Sequence, residues 1–466
     1  MENRIWLDVT TSSRWKGPDV GVIRTEKKIE EEFEKIYGER LHLFIYDSDS
    51  FREISISNKI DLIGSQTNSR NEGTNMLFPV IGRKQALKNI AQGFISLSPR
   101  AFRPFVNYLS INFSRFIKFL LRIRKDVKLR KKKSTYIDAD VLKNIQSALP
   151  NQALKSHPFI SGDVVVTVGT VWDYSSMLED LYFLKKNTKL KILTLCYDLI
   201  PIRYPQYCLE NTVSTFGSYL LGLAEISDVI CCISYSTKKD LDNFLELAGA
   251  KRTTTKLLYL GCDISKEREE DSYPFNDGSR FILYVSTLER RKNHELLYKA
   301  YRKLIDQGLG KEIPDLYFVG MRGWGVDDLI KDIQYDPLLE GKIKILGRMS
   351  DDELDALYKK SYFVVFPSFY EGWGLAVIEA FLHGKFVLAS DRGSLPEAGG
   401  VYAEYIDPYD VTLWAKKILY YSRNPSDIKK KEALIKSQWK PHKWTMTAKT
   451  LANFVSETLE DLNSVK

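Results

Sequence analysis

From residue 164 onward, eight short runs rich in apolar and β-branched residues punctuate the chain, most of them separated by stretches of helical period. VVVTVG (164–169), KILTLCYD (191–198) and DVICCIS (228–234) come first. FILYVST (281–287), DLYFVG (315–320), KIKILG (342–347), YFVVFPS (362–368) and KFVLAS (385–390) follow. Such runs suit strands covered on both faces. Covered strands alternating with helices mean a parallel sheet between helical layers, so the fold class is α/β. The N-terminal part agrees. NRIWLDVT reads as a strand, SSRWKGPDVGVIRT as a loop entering the helix IRTEKKIEEEFEKIY, and LHLFIYDSD as a second strand.

The segment KLLYLGCDISKEREEDSYPFNDGSR reads as a strand followed by a charged, turn-rich link, after which a fresh α/β series begins. A boundary near 262–280 therefore divides the 466 residues into two domains, 1–265 and 266–466, with the last helix a candidate to cross back to the first, and the length suits two large α/β units. Residues 50–160 are the least orderly. Within them 101–133 reads as a long helix with Phe105, Leu109, Phe113, Phe116, Ile117, Leu120 and Leu121 at helical spacing. Its end, RFIKFLLRIRKDVKLRKKK (115–133), holds ten basic residues and one acidic one, whereas the whole chain carries a net charge of +8. The basic excess is thus local, and a nucleic-acid footprint spread over one face is not expected. Three uses of the helix stay open: packing on its own domain with a solvated basic end, lying on an anionic membrane surface with Lys and Arg at the headgroups, or, behind these two, binding nucleic acid through 115–133.

A hydrophobic content of 44% with 27% charged residues excludes a disordered chain. Cys196, Cys208, Cys231, Cys232 and Cys262 show no CxxC spacing, and five His form no cluster with them, so no zinc site is expected. Unpaired cysteines of this kind fit a reducing compartment. The N-terminus MENRIWLDVT has no apolar core of a signal peptide, and no uncharged run approaches the ~18 residues of a spanning helix. The expected location is cytoplasmic, with 101–133 as the one segment that could hold the protein on the inner face of a membrane.

The stretch FPSFYEGWGLAVIEAFLHGKFVLASDRGSLPEAGG (366–400) carries the most chemistry. A strand ends at FPS, a Gly-bearing turn follows, and a helix starts near Leu375. Backbone amides at Gly374, Leu375 and Ala376 would then stand at a helix N-terminus, which favours an anion. Glu371 lies just before the turn and Glu379 about one turn into the helix. Carboxylates beside an anion site need other partners, and sugar hydroxyls, which donate charge-assisted hydrogen bonds, are suited to them.

The pattern E-G-x-G-L-x-x-x-E-A, followed by a strand and G-S-L-P-E, resembles the retaining nucleotide-sugar glycosyltransferases of family 4. That resemblance implies the GT-B arrangement, two Rossmann-like domains facing a central cleft. It also implies Glu371 on the transferred sugar, Glu379 on the donor ribose, and the backbone of Gly374, Leu375 and Ala376 on sugar and diphosphate. VSTLERRKNHELL (285–297) resembles the family's E-P-R-K-N motif, which implies Arg291 and Lys292 at the diphosphate leaving group; Arg290 stands where the family has Pro. KGPDVGVIRT resembles the Gly-rich loop after the first strand, implicating Gly21. KIKILGRMSDDEL resembles the strand and loop beside the nucleotide base, implicating Leu346, Gly347 and Arg348. CYDLIPIRYPQYC (196–208) resembles the H-D-L-I-P motif of mannosyl- and rhamnosyltransferases of surface polysaccharide assembly, with Tyr197 in the His position. A Tyr there can give one hydrogen bond to the sugar but is no base near neutrality.

The resemblance implies a hexosyltransferase with no cofactor beyond its substrate, a nucleotide-diphospho-sugar, GDP-mannose being favoured. The implied acceptor is a polysaccharide or lipid-linked glycan. Asp47–Asp49 and Asp138–Asp140 have the Asp-x-Asp spacing of metal-dependent enzymes but read as loop or capping acids, so no metal is expected. A GT-B epimerase or phosphorylase is a neighbouring alternative. The alternative from another class is a catalytically silent nucleotide-sugar-binding partner of a membrane polysaccharide assembly, toward which Tyr197 points.

Overall fold

The computed structural model describes residues 3–16, 21–47, 50–55, 157–263, 280–339 and 341–464. The basic segment 101–133, Asp49, and the Asp138–Asp140 pair lie outside them. Among the described residues the first sheet has seven strands: β1 (Ile5–Asp8), β2 (Leu41–Asp47), β3 (Ser50–Ile54), β4 (Val164–Thr167), β5 (Lys191–Cys196), β6 (Val229–Cys232) and β7 (Thr254–Leu257). Their order is β3-β2-β1-β4-β5-β6-β7. All neighbours run parallel except β2 and β3. The interior strand β1 aligns Leu7 with Leu43 on one side and Val166 on the other.

Both faces of this sheet are covered. Trp6, Val165, Ile192 and Ile230 point into one core with Leu181, Leu220 and Leu241. Ile5, Leu7, Val164, Val166 and Leu193 point into the other, against Ile29 and Phe33 of helix Gly21–Tyr37. Each such side chain contributes roughly 1.5–3 kcal/mol of burial, which is why the runs carry no polar alternation. Trp444, Ala448, Leu451 and Val455 of helix Trp444–Ser464 complete the second core, so the end of the chain lies on the first sheet. Gly261 permits the approach: a Cβ there would stand 2.5 Å from Trp444 Cα. The Thr447 hydroxyl donates to the Tyr259 carbonyl over 2.9 Å at the same junction.

The second sheet comprises β8 (Phe281–Val285), β9 (Asp315–Val319), β10 (Ile343–Ile345), β11 (Phe363–Phe366), β12 (Val387–Ser390) and β13 (Ala403–Ile406). Its order is β10-β9-β8-β11-β12-β13, all parallel. This is the doubly wound order in which the chain reverses direction between the first and fourth strands. Ligands bind such sheets outside the carboxyl ends of the strands at that point, here beyond β8 and β11. The first sheet has the same reversal between β1 and β4.

Three strands differ from what the sequence indicates. β3 and β13 are edge strands with polar residues along them, SFREI and AEYI, and neither shows an apolar run. β7 begins at Thr254, two residues before KLLYL, because its pairing with β6 starts at Val229 opposite Thr254. Asp47 is engaged by Arg14 at 3.3 Å and Arg52 at 3.6 Å. Among the described residues no group of three or more His, Cys, Asp or Glu is arranged to hold a metal ion, and no helix is long and apolar enough to cross a membrane.

Candidate active site

The loops after β8 and β11 are stitched together. Arg290–Lys292 forms a single 3-10 turn without the proline of the related motif. Asn293 closes it with φ +59 and donates from Nδ2 to the carbonyls of Pro367 (3.1 Å) and Pro408 (2.8 Å). The Phe369 amide donates to the Arg291 carbonyl over 2.9 Å, and Arg291 Nη1 to the Tyr370 carbonyl over 2.7 Å. The two loops therefore present their side chains as one rigid unit.

Glu371 lies at the centre of that unit, buried. Lys292 Nζ reaches its Oε1 at 2.7 Å and Arg291 Nη1 its Oε2 at 2.8 Å. Arg291 also holds buried Glu289 through Nη2 at 2.6 Å. Burial raises the Glu371 carboxyl's pKa, but Arg291 and Lys292 together outweigh it and bring it down to about 2. Burial pushes the Lys292 ammonium down and the Glu289 carboxyl up. Two carboxylates facing two cations make a cluster close to electrical neutrality.

The G-S-L-P-E segment is a brace for Glu371. The Ser394 hydroxyl and amide donate to the Glu371 carbonyl at 2.9 and 3.2 Å. Gly393 has φ +60, and a Cβ on it would stand 2.7 Å from the Glu371 carbonyl oxygen. Two motifs some twenty residues apart are thus one structural device. After Glu371 the chain turns through Gly372 and Gly374 into helix Leu375–Leu382, with Gly374 as its N-cap. The helix uses the Val377 amide first, through the Gly374 carbonyl at 3.0 Å, which leaves the amides of Leu375 and Ala376 at its open end. Glu379, one turn on, receives a hydrogen bond from the Tyr358 hydroxyl at 3.3 Å.

Across the cleft, the first domain touches this unit directly. Arg24, in the first turn of helix Gly21–Tyr37, places Nη1 3.0 Å from Glu379 Oε1. A Cβ on Gly372 would stand 2.4 Å from the Tyr197 carbonyl oxygen, so the loop after β5 rests on the glycine. Glu397 accepts the amides of Tyr235 (2.7 Å) and Ser236 (2.8 Å), capping first-domain helix Tyr235–Leu247 from the second domain. Tyr207 stacks on Phe369 with ring centroids 5.1 Å apart, and Trp324 Nε1 donates to the Tyr207 carbonyl over 2.8 Å.

The structure therefore brings Glu371, Arg291, Lys292, Gly374, Leu375, Ala376 and Glu379 to one place, at the chain reversal of the second sheet. Leu346 and Gly347 lie beyond β10. The Leu346 amide donates to the Phe318 carbonyl (2.9 Å), and the Gly347 carbonyl accepts from the Gly320 amide (2.7 Å), while Arg348 is exposed. Gly21 begins its helix with φ +46, and an added Cβ would meet nothing within 4 Å among the described residues, so its conformation rather than a close approach requires glycine. Tyr197 follows β5 directly. Its hydroxyl donates to the Val168 carbonyl at 2.6 Å, and burial pushes the phenol well above its ordinary range. Its one proton thus goes to a carbonyl of the first domain. Arg24 and Glu397 are the contributors that sequence patterns missed, because each acts on a residue more than 150 positions away.

Residues 265–439 match the family model described as glycosyl transferases, group 1. The chain is similar to the serotype-specific mannosyltransferase WbdA of Escherichia coli, 29% identical over 197 residues, which is 40% of this chain and 24% of WbdA. It is also similar to the O-antigen chain mannosyltransferase B of Escherichia coli, 29% identical over 234 residues, 49% of this chain and 60% of that protein. The matched stretch thus spans about a quarter of the one and less than two thirds of the other. Among solved structures, sucrose-phosphate synthase from Thermosynechococcus elongatus superposes with a TM-score of 0.56 at 16% identity, covering 99% of this chain and 100% of that one. Anabaena HepE in complex with UDP and glucose gives 0.53 at 14% identity, covering 98% and 100%. At these identities the likeness is one of fold, and the fold is GT-B.

Proposed function

We propose, from the premise that residues 265–439 are a group 1 glycosyltransferase domain, that this chain moves a hexose from a nucleotide-diphospho-sugar to a polysaccharide or lipid-linked glycan acceptor. The observation that carries the reading is the Glu371–Arg291–Lys292 cluster beside the open N-terminus of helix Leu375–Leu382. A carboxylate kept ionised far below neutrality accepts hydroxyl hydrogen bonds from the transferred sugar. The cations beside it, with the amides of Leu375 and Ala376, are suited to the diphosphate and to the negative charge that grows on it as the glycosidic bond breaks. Glu379 is suited to the donor ribose.

Mannose is the favoured sugar, and GDP-mannose the favoured donor, because the similar Escherichia coli proteins are mannosyltransferases by name. Retention of anomeric configuration is part of the proposal. The acceptor attacks from the face of the departing diphosphate, which takes up the acceptor proton, since this route asks for no nucleophilic carboxylate from the first domain. Metal independence is proposed as well, with Arg291 and Lys292 supplying the charge. The proposed setting is cytoplasmic, with the basic segment 101–133 on the inner face of a membrane where a lipid-linked acceptor would be presented.

Nucleoside diphosphate release from GDP-, UDP- and dTDP-sugars, measured with EDTA present, tests the proposal on the wild type and Glu371→Ala. The expected result is turnover of one donor, GDP-mannose first, insensitive to EDTA and lost by orders of magnitude in the variant. Undiminished turnover in Glu371→Ala removes the proposal's foundation, and turnover restored only by manganese removes metal independence.

A further inference from the structure

Electrical balance poses a question that the second domain does not answer alone. Arg291 and Lys292 face Glu371 and Glu289, so their cluster carries little surplus positive charge. The diphosphate of a nucleotide-sugar brings about two negative charges, and about one more once the sugar has left, against which a helix N-terminus sets roughly half a positive one. Arg24 is a first-domain cation that reaches this site across the cleft. It pairs with Glu379, the carboxylate assigned above to the donor ribose, with Nη1 and Oε1 3.0 Å apart. Both side chains are partly exposed, at 35% and 25%, so water screens the pair and its contribution is small. Arg24 also sits in the first turn of helix Gly21–Tyr37, so the positive end of that helix faces the same carboxylate.

We propose that Arg24 is the first domain's cation for the donor diphosphate, held in reserve on Glu379 until ribose hydroxyls take that carboxylate over. The inference rests on the proposed function of the same site. Donor entry exchanges partners in one step: ribose hydroxyls donate to Glu379, and the released guanidinium turns from the carboxylate to the diphosphate oxygens. A guanidinium suits this task because its fork matches phosphate geometry. Because Arg24 belongs to the first domain and Glu379 to the second, the same exchange fastens the two domains around a bound diphosphate. A ligand with ribose but no β-phosphate takes Glu379 without giving Arg24 a full replacement.

The test is calorimetric titration of GDP and GMP into the wild type, Arg24→Gln and Arg24→Lys, with UDP and UMP, and dTDP and dTMP, run in parallel. Thermal melts of each variant confirm the fold. In Arg24→Gln the diphosphate weakens by about tenfold or more, the scale of one lost charge-assisted hydrogen bond. The monophosphate holds its affinity or gains, since its competitor for Glu379 is gone. The diphosphate-to-monophosphate ratio therefore falls about tenfold, and Arg24→Lys recovers part of it. A ratio unchanged in Arg24→Gln, whether both ligands weaken or neither does, overturns the inference and leaves the proposed function intact. A wild type that binds no nucleoside diphosphate overturns both together.

Discussion

Replacing Glu371 by Gln keeps the side chain's shape and removes its charge, leaving Arg291 and Lys292 buried against an amide. In the folded protein burial raises the carboxyl's pKa, but the two cations lower it by more, to about 2 from an ordinary 4.5. A group depressed in this way stabilises the fold above its unfolded pKa and loses that contribution as pH falls through the folded value. At about 1.4 kcal/mol per pH unit, the interval from 4.5 to about 2 corresponds to about 3 kcal/mol at pH 7. Stripping one partner from a buried ion pair costs about 3–5 kcal/mol in general, so two independent routes give the same scale. Urea unfolding followed by Trp fluorescence reads it, because Trp373 is two residues from the substitution. The gap between wild type and variant is about 3 kcal/mol at pH 7 and shrinks to roughly half or less by pH 3. A gap under about 1 kcal/mol, the value of a solvent-exposed pair, would refute the reasoning, as would a gap that does not change between pH 7 and pH 3.

Tyr197→Phe removes a hydrogen bond to the Val168 carbonyl and costs about 1 kcal/mol of stability. Nucleotide release stays near the wild-type rate, and a loss of about 100-fold, the scale of a missing acid–base group, would put the phenol on substrate after all. Gly372→Ala forces a Cβ to within 2.4 Å of the Tyr197 carbonyl oxygen, so calorimetric melting falls by the equivalent of about 1–3 kcal/mol, as for an overpacked core. Glu397→Ala strips the acceptor from the Tyr235 and Ser236 amides. The cost is about 1 kcal/mol, as for a lost helix cap, with a larger radius of gyration by small-angle scattering as the domains loosen; an unchanged radius would show that other contacts suffice.

The central strands were legible because burial on both faces leaves a continuous apolar signature, as in VVVT, VICC and FVVF. Two of the four edge strands, β3 and β13, were not, since SFREI and AEYI each keep polar residues toward solvent or neighbouring charges. Helix Leu375–Leu382 was legible from its Gly-bearing turn and apolar first residues. The clustering of Glu371 with Arg291 and Lys292 followed from resemblance alone, because nothing local in either segment specifies a partner 79 positions distant. The same limit hid Arg24, whose contact with Glu379 spans 355 positions and exists only once the two domains face each other. Tyr197 shows the converse: a residue in a site motif can be taken up by its own domain when a buried carbonyl lies within reach.

Transfer of radiolabel from GDP-[14C]mannose to a mannan oligosaccharide or polyprenyl-linked glycan, compared between wild type, Lys292→Ala and Glu371→Ala, tests the central claim most directly. Label on the acceptor is expected for the wild type, with a loss of orders of magnitude in both variants and the fold intact by circular dichroism. Equal transfer by wild type and variants would contradict it, because the buried cluster would then be structural and the sugar would be handled elsewhere.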